Sequence, residues 1–147
     1  MTEGGKHSFK IRETSDIGLI LPIRWRNLYP GRPIDPESSR EADKSRETVH
    51  FMAFDDGIPF GCVSLLKDSA HECKLRIRWL AVDENQRRKG IGRKLVKSCL
   101  RKARRCGIWC NVRQPAVKLY EKLGFVKVGD LFELPKIGPH FLMRHIP

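Results

Sequence analysis

The sequence contains no long apolar run. No segment approaches the roughly 18 to 20 consecutive apolar residues that a membrane-spanning helix needs, and no apolar signal core follows the first six residues, MTEGGK. These absences argue against a helical membrane span and against a secretory signal peptide. We therefore expect a soluble protein that stays in the cytoplasm.

Cysteine pairs with metal-binding or redox spacing are also missing. The five cysteines are odd in number, and none of them forms a Cys-x-x-Cys pair. The five histidines are scattered along the chain, at positions 7, 50, 71, 140 and 145. We therefore expect reduced thiols in a reducing compartment and no metal site.

Acidic residues are scarce beside the basic ones. Asp and Glu number 17 against 29 Lys and Arg, which gives a formal net charge of +12. Such a charge attracts polyanions, so nucleic acid, an anionic membrane surface and a phosphorylated cofactor are all open at this point. Ten of the basic residues lie between Arg87 and Arg105, which places the charge around one glycine-containing loop.

The length of 147 residues and the apolar content of 40% predict one domain, spanning residues 1–147. Ser15 and Asp16 can cap a first helix from Ile17 to Leu28, whose apolar residues recur at steps of three and four; Pro22 is an alternative start. Residues 29–48 are rich in Pro, Ser and charge and predict a loop, with or without a short helix.

Three short β-prone runs follow this loop. The runs Val49–Phe54 and Ile58–Leu66 flank Asp55-Asp56-Gly57, which predicts a β-hairpin. The third run, Cys73–Val82, alternates polar and apolar residues and then becomes apolar at residues 80–82, so we expect the strand to end in a buried position.

The rest of the chain alternates helices and strands. We predict an amphipathic helix over Gly92–Cys106 with its basic residues outside, and a second helix over Pro115–Leu123. Strands are predicted at Ile108–Val112 and, after the second helix, at residues 125–128 and 140–146. The resulting order, β-α-β-β-β-α-β-α-β-β, is that of a mixed α/β domain.

The loop before the amphipathic helix contains Gly90-Ile91-Gly92. A buried strand, a glycine-containing loop and an immediate helix start form the layout in which backbone N–H groups bind phosphate oxygens. Two glycines alone are common in such turns, and this loop is neither the Lys-Ser/Thr P-loop nor the three-glycine dinucleotide motif. The loop therefore indicates a phosphate-bearing ligand without identifying it.

Two sequence blocks resemble the signatures of the GNAT acetyltransferase superfamily. The first, LAVDENQRRKGIGRKL over residues 80–95, matches Arg/Gln-x-x-Gly-x-Gly/Ala after an apolar strand, and the second is AVKLYEKLGF over residues 116–125. Residues 110–116 (CNVRQPA) resemble a branch of small bacterial-type acetyltransferases. The resemblance implies a mixed, mostly antiparallel central sheet flanked by helices, with a splayed strand pair that binds acyl-CoA.

The resemblance also implies an activity and its residues. An acetyl or other acyl group would move from acetyl-CoA to a primary amine by direct attack in a ternary complex, without a metal. Tyr120 matches the family's general acid, which protonates the departing thiolate. Ten positions match the family's cofactor-binding segment: Leu80, Ala81, Val82, Arg87, Arg88, Lys89, Gly90, Ile91, Gly92 and Arg93.

The sequence departs from the family pattern at two points and leaves the base unassigned. Arg88 stands where the family often has a glycine, and Asn111 is only a candidate for the asparagine usually found before the last helix. Arg76 and Arg78 stand in the strand where some members place a glutamate base. Other candidates for the base are scattered along the chain: Glu72, His50 and Asp55.

Several alternatives stay open. Tyr120 has the surroundings of an ordinary core residue, and Arg101–Arg105 can be a solvated helix face. A further segment can either line an acceptor site or pack as a loop: Arg24, Trp25, Tyr29 and residues 30–33. A basic nucleic-acid-binding module is the rival function, although no known nucleic-acid motif is present. A third hypothesis is a sensor that binds acyl-CoA without catalysis. A homodimer is also possible, since dimers are common in the family that the sequence resembles.

Overall fold

The computed structural model describes residues 8–32, 40–135 and 137–147. In this part of the chain, the helices are α1 (Ile17–Leu28), α2 (Arg40–Lys44), α3 (Ile91–Ala103) and α4 (Val117–Lys122). The strands are β1 (Lys10–Thr14), β2 (Val49–Asp55), β3 (Ile58–Ala70), β4 (Cys73–Val82), β5 (Ile108–Arg113), β6 (Val126–Lys127), β7 (Phe132–Leu134) and β8 (Gly138–His145). Within these described ranges, no helix is long and apolar enough to cross a membrane.

The strands form one eight-stranded sheet in the order β1-β2-β3-β4-β5-β8-β6, with β7 also paired to β8. Every pairing is antiparallel except that of β4 with β5, which is parallel. The predicted mixed α/β fold with a mostly antiparallel sheet is therefore confirmed. Strand β8 lies between β5 and β6, so the last strand of the chain is an inner strand of the sheet.

Helices cover both faces of the sheet. On one face α3 buries Leu95, Val96 and Cys99 completely in the main core, while Arg101 on its outer side is exposed, as the amphipathic pattern predicts. On the other face α1 contributes Ile20 to a smaller apolar cluster against β3 and β4. The C-terminal ends of β4 and β5 lie between these two helices.

The first helix begins at Ile17, directly after the Ser15-Asp16 signal, so the alternative start at Pro22 is wrong. Pro22 lies inside α1, where its missing N–H removes one helical hydrogen bond. Of the following loop, residues 33–39 lie outside the described part, and the short helix allowed by the sequence is α2.

Several element boundaries differ from the predicted ones. Helix α3 ends at Ala103 because Arg104 adopts a φ of 55°, which is outside the helical region. A short turn of 3-10 helix over Gln114–Ala116 replaces the predicted start of α4 at Pro115. The connection before the last strand contains β7, which the sequence does not signal.

Strand β4 separates from β5 after only two paired residues. The pairs are Leu75 with Ile108 and Arg76 with Trp109, and the two strands diverge beyond them. The expectation of a buried strand end is wrong for Leu80 and Val82, which are both partly exposed, because the pairing of β5 with this edge of β4 ends at Arg76. The predicted splayed pair of strands is present.

A β-bulge at Trp79 changes the alternation of β4. Arg78 pairs with Ser64 and Ala81 pairs with Cys62, so two residues of β4 stand opposite one residue of β3. Trp79 itself has a φ of 58°. The inserted residue returns Leu80 to the core side of the sheet occupied by α3 and leaves Arg78 on the side of α1.

Candidate functional site

A cavity of about 170 Å³ lies between the diverging ends of β4 and β5. Its walls come from β4, β5, β8, the C-terminal end of α1 and the start of α4. They are formed by Leu28, Tyr29, Arg76, Ile77, Arg78, Trp79, Leu80, Cys110, Asn111, Val112, Arg113, Ala116, Tyr120, Leu134, Ile137 and His140. The cavity therefore brings together Leu80, Asn111 and Tyr120, which the sequence singles out separately.

The loop before α3 carries a series of free backbone donors. Gly90 is the N-terminal cap with a φ of 79°, a conformation that glycine adopts without strain, and it provides no side-chain cap. Within the described chain, the N–H groups of residues 88–93 donate to no acceptor, whereas that of Lys94 donates to the carbonyl of Gly90 at 3.1 Å. These N–H groups and the positive end of the helix dipole favour an anion.

Gly92 allows the first turn of α3 to lie against its neighbours. A Cβ atom at this position would stand 3.3 Å from Cδ1 of Leu119 and 4.0 Å from Cδ2 of Leu80. The helix N-terminus therefore packs closely on both α4 and β4. This contact fixes the free N–H groups relative to the strand that lines the cavity.

Two basic side chains of the loop are used within the protein. Arg87 donates through Nε to the carbonyl of Val82 at 2.9 Å and through Nη2 to Oδ1 of Asn27 at 3.3 Å. Lys89 donates to Oε1 of Gln86 at 2.8 Å. Both side chains hold the loop in shape, so the charges of this predicted site are partly engaged before any ligand arrives.

Asp83 connects the end of β4 to α1. Its carboxylate accepts hydrogen bonds from Nε of Arg26 at 2.8 Å and from Nδ2 of Asn27 at 2.7 Å. Burial raises the pKa of Asp83, but the hydrogen bonds from Arg26 and Asn27 outweigh it and leave the pKa lowered. The charged carboxylate therefore holds α1 against the loop that precedes α3.

Tyr120 lies in the cavity wall and is 3% exposed. Its ring meets that of Phe125 edge to face, with centroids 5.1 Å apart, and its Oη lies 3.8 Å from Sγ of Cys110. Burial, followed by the nearby Cys110, raises the pKa of Tyr120 well above its usual value. The phenol therefore stays protonated at neutral pH.

His140 lies in the cavity wall and is 3% exposed. Its Nδ1 lies 2.8 Å from the carbonyl of Gly138, which can only accept, so Nδ1 carries the proton. In the neutral ring Nε2 then holds a lone pair. None of the earlier candidates for a base lines the cavity: Glu72 pairs with Arg144, His50 is buried elsewhere, and Asp55 lies at the β2–β3 turn.

Buried polar residues hold α2 to the sheet outside the cavity. Arg24 is 1% exposed and donates to both carboxylate oxygens of Asp43 at 3.0 and 3.1 Å. His50 lies with Nδ1 2.6 Å from Oγ of Ser64, and burial lowers its pKa. Arg24 is thus a packing residue, whereas Tyr29 from the same part of the sequence does line the cavity.

Trp25 packs beside Tyr29, with ring centroids 4.7 Å apart, and donates its Nε1–H to the carbonyl of Arg32 at 3.0 Å. Pro33, the last residue of the proposed acceptor segment, lies outside the described residues. Over residues 8–32, 40–135 and 137–147, no group of three or more His, Cys, Asp or Glu is arranged to hold a metal ion.

Sequence reasoning misses His140, Cys110 and Asp83. His140 reaches the cavity because β8 pairs with β5, where it stands opposite Arg113. Cys110 is one of the five cysteines that the sequence predicts as reduced thiols, and nothing in its neighbours along the chain indicates a contact with Tyr120. Asp83 lies inside the loop motif, but its partners in α1 are more than 50 residues away.

Comparison with known proteins gives one family match. The model of the family described as "Acetyltransferase (GNAT) family" matches residues 19–125 of this chain. The chain is also similar to the "Uncharacterized N-acetyltransferase YitI" of Bacillus subtilis (strain 168). The two are 30% identical over 138 residues, which cover 89% of this chain and 92% of that protein.

Solved structures share the fold. An acyl-CoA N-acyltransferase from Pseudomonas aeruginosa superposes with a TM-score of 0.77 at 21% identity, over 94% of this chain and 99% of that one. An aminoglycoside 6'-N-acetyltransferase complexed with coenzyme A superposes with a TM-score of 0.74 at 17% identity, over 94% and 98% of the two chains. At these identities the likeness establishes the fold of the sheet and its helices.

Proposed function

Because this chain belongs to the acetyltransferase (GNAT) family and so transfers an acetyl group from acetyl-CoA to an amine, we propose that the transfer takes place in the cavity between β4 and β5. The observation that carries the proposal is the position of Tyr120. A buried, protonated phenol lines the same cavity as the uncovered edge of β4, close to a helix N-terminus with free N–H groups.

We propose that acetyl-CoA binds along β4 with its pyrophosphate at the N-terminus of α3. The free N–H groups of residues 88–93 and the charges of Arg88 and Arg93 suit the phosphate oxygens. Arg87 and Lys89 act here through their backbone and through the loop shape that their side chains hold. The pantetheine arm lies against Leu80, Ala81 and Val82, beside the edge of β4 that no strand covers.

Tyr120 is the proposed general acid. Its hydroxyl lies in the cavity wall beside Sγ of Cys110, a weak hydrogen-bonding partner at 3.8 Å, so its proton is available to the departing sulfur. Burial keeps the phenol protonated, and burial of the leaving thiolate in the same cavity raises its proton affinity. Proximity in a closed site therefore makes a proton transfer effective that would be unfavourable between the free groups in water.

His140 is the proposed general base. An ammonium group must lose a proton before its nitrogen can attack, and Nε2 of His140 is the free lone pair of a buried ring in the cavity wall. The nitrogen then bonds to the thioester carbon, the carbon–sulfur bond breaks, and the thiolate takes the proton of Tyr120. The second proton of the attacking nitrogen passes to the tyrosinate, and His140 gives its proton to solvent, which leaves free CoA and the N-acetylated amine.

The expected cytoplasmic location and the single domain of residues 1–147 are part of this proposal. All five cysteines lie in the described ranges as free thiols, four of them buried. Free thiols suit a reducing compartment, because thiols are not oxidised to disulfides there. The cavity and the adjacent N-terminus of α3 are built on one continuous sheet, which also suits a domain that acts as a unit.

Calorimetric titration with acetyl-CoA tests the cofactor site. We expect saturable binding by the parent and a strong loss in Gly90→Val, because a β-branched residue is strained at a φ of 79°. Gly90→Asn is the matched control, since asparagine adopts this conformation more readily and the added Cβ meets no atom within 4 Å. Binding of duplex DNA with strong salt dependence, and no binding of acetyl-CoA, would contradict the proposal.

A further inference from the structure

The cavity wall carries positive charge and no carboxylate. Arg76, Arg78 and Arg113 line it, and among the described residues that form the wall none is Asp or Glu. Asp68 approaches Nη1 of Arg76 at 3.3 Å from outside the wall, so one of the three charges is partly balanced. The acceptor side of the cavity is therefore cationic.

Arg78 is the least satisfied of the three arginines. Its guanidinium lies over the ring of Trp79, 4.2 Å from the centroid, and no hydrogen-bond acceptor or carboxylate in the described part of the chain pairs with it. Arg113, by comparison, donates to the carbonyl of Leu28 at 3.3 Å. Burial, and next the like charge of Arg76, lower the pKa of Arg78 from its usual value.

The position of Arg78 over the Trp79 ring leaves N–H groups available for a ligand. A guanidinium that lies over an aromatic ring still directs its N–H groups outward in its own plane. A planar carboxylate matches two of these N–H groups at once, whereas a lone hydroxyl or carbonyl oxygen matches one. The partly buried position makes such a pair stronger than it would be at an open surface.

The charge of the cavity also selects among amines. A polyamine or an aminoglycoside carries several positive charges, and the three arginines oppose its entry without a carboxylate to offset them. An amine that also carries a carboxylate brings its own counter-charge. The arginines then favour the neutral form of the attacking amine, because a nearby positive charge lowers the pKa of an ammonium group.

We infer that the acceptor is an amine bearing a carboxylate, an amino acid or a compound like one, and that Arg78 binds this carboxylate with support from Arg76 and Arg113. The inference rests on the proposed function of the cavity and names the class of its second substrate. A cavity of about 170 Å³ suits a small acceptor.

The test compares amino acids with their amides as acceptors. Release of CoA is followed with a thiol reagent for alanine and alaninamide, phenylalanine and phenylalaninamide, and lysine and lysinamide. Each amide keeps the amine, loses the negative charge and leaves the amine easier to deprotonate. We expect kcat/KM to be higher for at least one amino acid than for its amide by roughly tenfold or more, the effect of one charge-assisted pair.

Variants of Arg78 connect the preference to this residue. In Arg78→Met the ratio between the amino acid and its amide should fall close to one, and Arg78→Lys should retain part of it, because the charge remains without the planar fork. Arg105→Met is the matched control. Arg105 is exposed and does not line the cavity, so its loss should leave the ratio as in the parent.

The outcomes separate this inference from the proposed function. If acetyl-CoA binds but the amides, or spermidine, are acetylated as well as every amino acid, the substrate class is wrong and the acetyl-transfer site stands. Preference for phosphoethanolamine over every amino acid would likewise overturn the carboxylate, as would a ratio unchanged in Arg78→Met. Failure to bind acetyl-CoA in calorimetry would remove the proposed function itself.

Discussion

Sγ of Cys110 lies 3.8 Å from the phenolic oxygen of Tyr120, inside the wall of the cavity between β4 and β5. Sulfur is a weak hydrogen-bonding partner, so this contact orients the hydroxyl without holding its proton tightly. The proton of Tyr120 can therefore pass to a stronger acceptor, such as a departing thiolate. Cys110 remains a thiol because burial raises its pKa to about 12.

Tyr120→Phe should lower kcat roughly a hundredfold or more while leaving the Kd for acetyl-CoA nearly unchanged. The phenyl ring keeps the contact with Phe125, so thermal unfolding should change little. Cys110→Ala should lower kcat much less, since the thiol only orients the hydroxyl. Stopped-flow release of CoA and calorimetry measure the two effects. Equal turnover by Tyr120→Phe and the parent would remove this tyrosine as the acid.

His140→Ala should reduce kcat/KM most strongly at low pH. At a pH above the pKa of the acceptor amine the nucleophile is already neutral, so the variant should approach the parent as the pH rises. The measurement is a profile of kcat/KM against pH for both proteins with the acceptor found by the amine screen. A loss by the same factor at every pH would indicate a structural role for the ring and would exclude it as the base.

Asp43→Ala should destabilise the fold by about 3 to 5 kcal/mol, because it removes the carboxylate opposite a buried guanidinium. Arg24 is 1% exposed and Asp43 6% exposed, so water cannot replace the lost partner. Glu47→Ala is the matched control: Glu47 pairs with Lys67 at 2.9 Å, but both side chains are about 60% exposed. Its loss should cost less than about 1 kcal/mol in urea denaturation. Equal costs for the two variants would contradict this account.

Lowering the pH should destabilise the protein through His50. Burial lowers the pKa of His50 in the folded state, so below the ordinary pKa of about 6.5 the unfolded chain binds the proton more strongly. The free energy of unfolding should therefore fall as the pH is lowered from about 7.5 through the ordinary pKa. In His50→Asn, which retains a polar atom toward Ser64, urea denaturation should show a smaller fall. An identical fall would assign the pH dependence to other groups.

The order of helices and strands is predictable because each element has a clear period. The three- and four-residue steps of α3 and the alternation in Cys73–Val82 depend only on neighbours along the chain. The bulge at Trp79 and the short β7 escape such reasoning. Both are set by pairing with a neighbouring strand, which a single period does not encode.

The site was predictable only where a motif is continuous in sequence. The loop around Gly90 and the helix with Tyr120 are continuous blocks, and both lie within the residues that the family model matches. His140 belongs to the site through the pairing of β8 with β5, and its role depends on a hydrogen bond to Gly138. The direction of that bond follows from three-dimensional structure and has no counterpart in the order of residues.

Trp79 also affects how the acceptor preference of the enzyme can change during evolution. Two guanidinium groups lie over its ring, that of Arg78 from the cavity wall and that of Arg24 from the buried anchor of α2. A mutation in α2 that moves Arg24 therefore also changes the packing of the Trp79 ring, which Arg78 contacts. New acceptors can thus be selected through residues that never touch them, while Tyr120 and the loop around Gly90 remain unchanged.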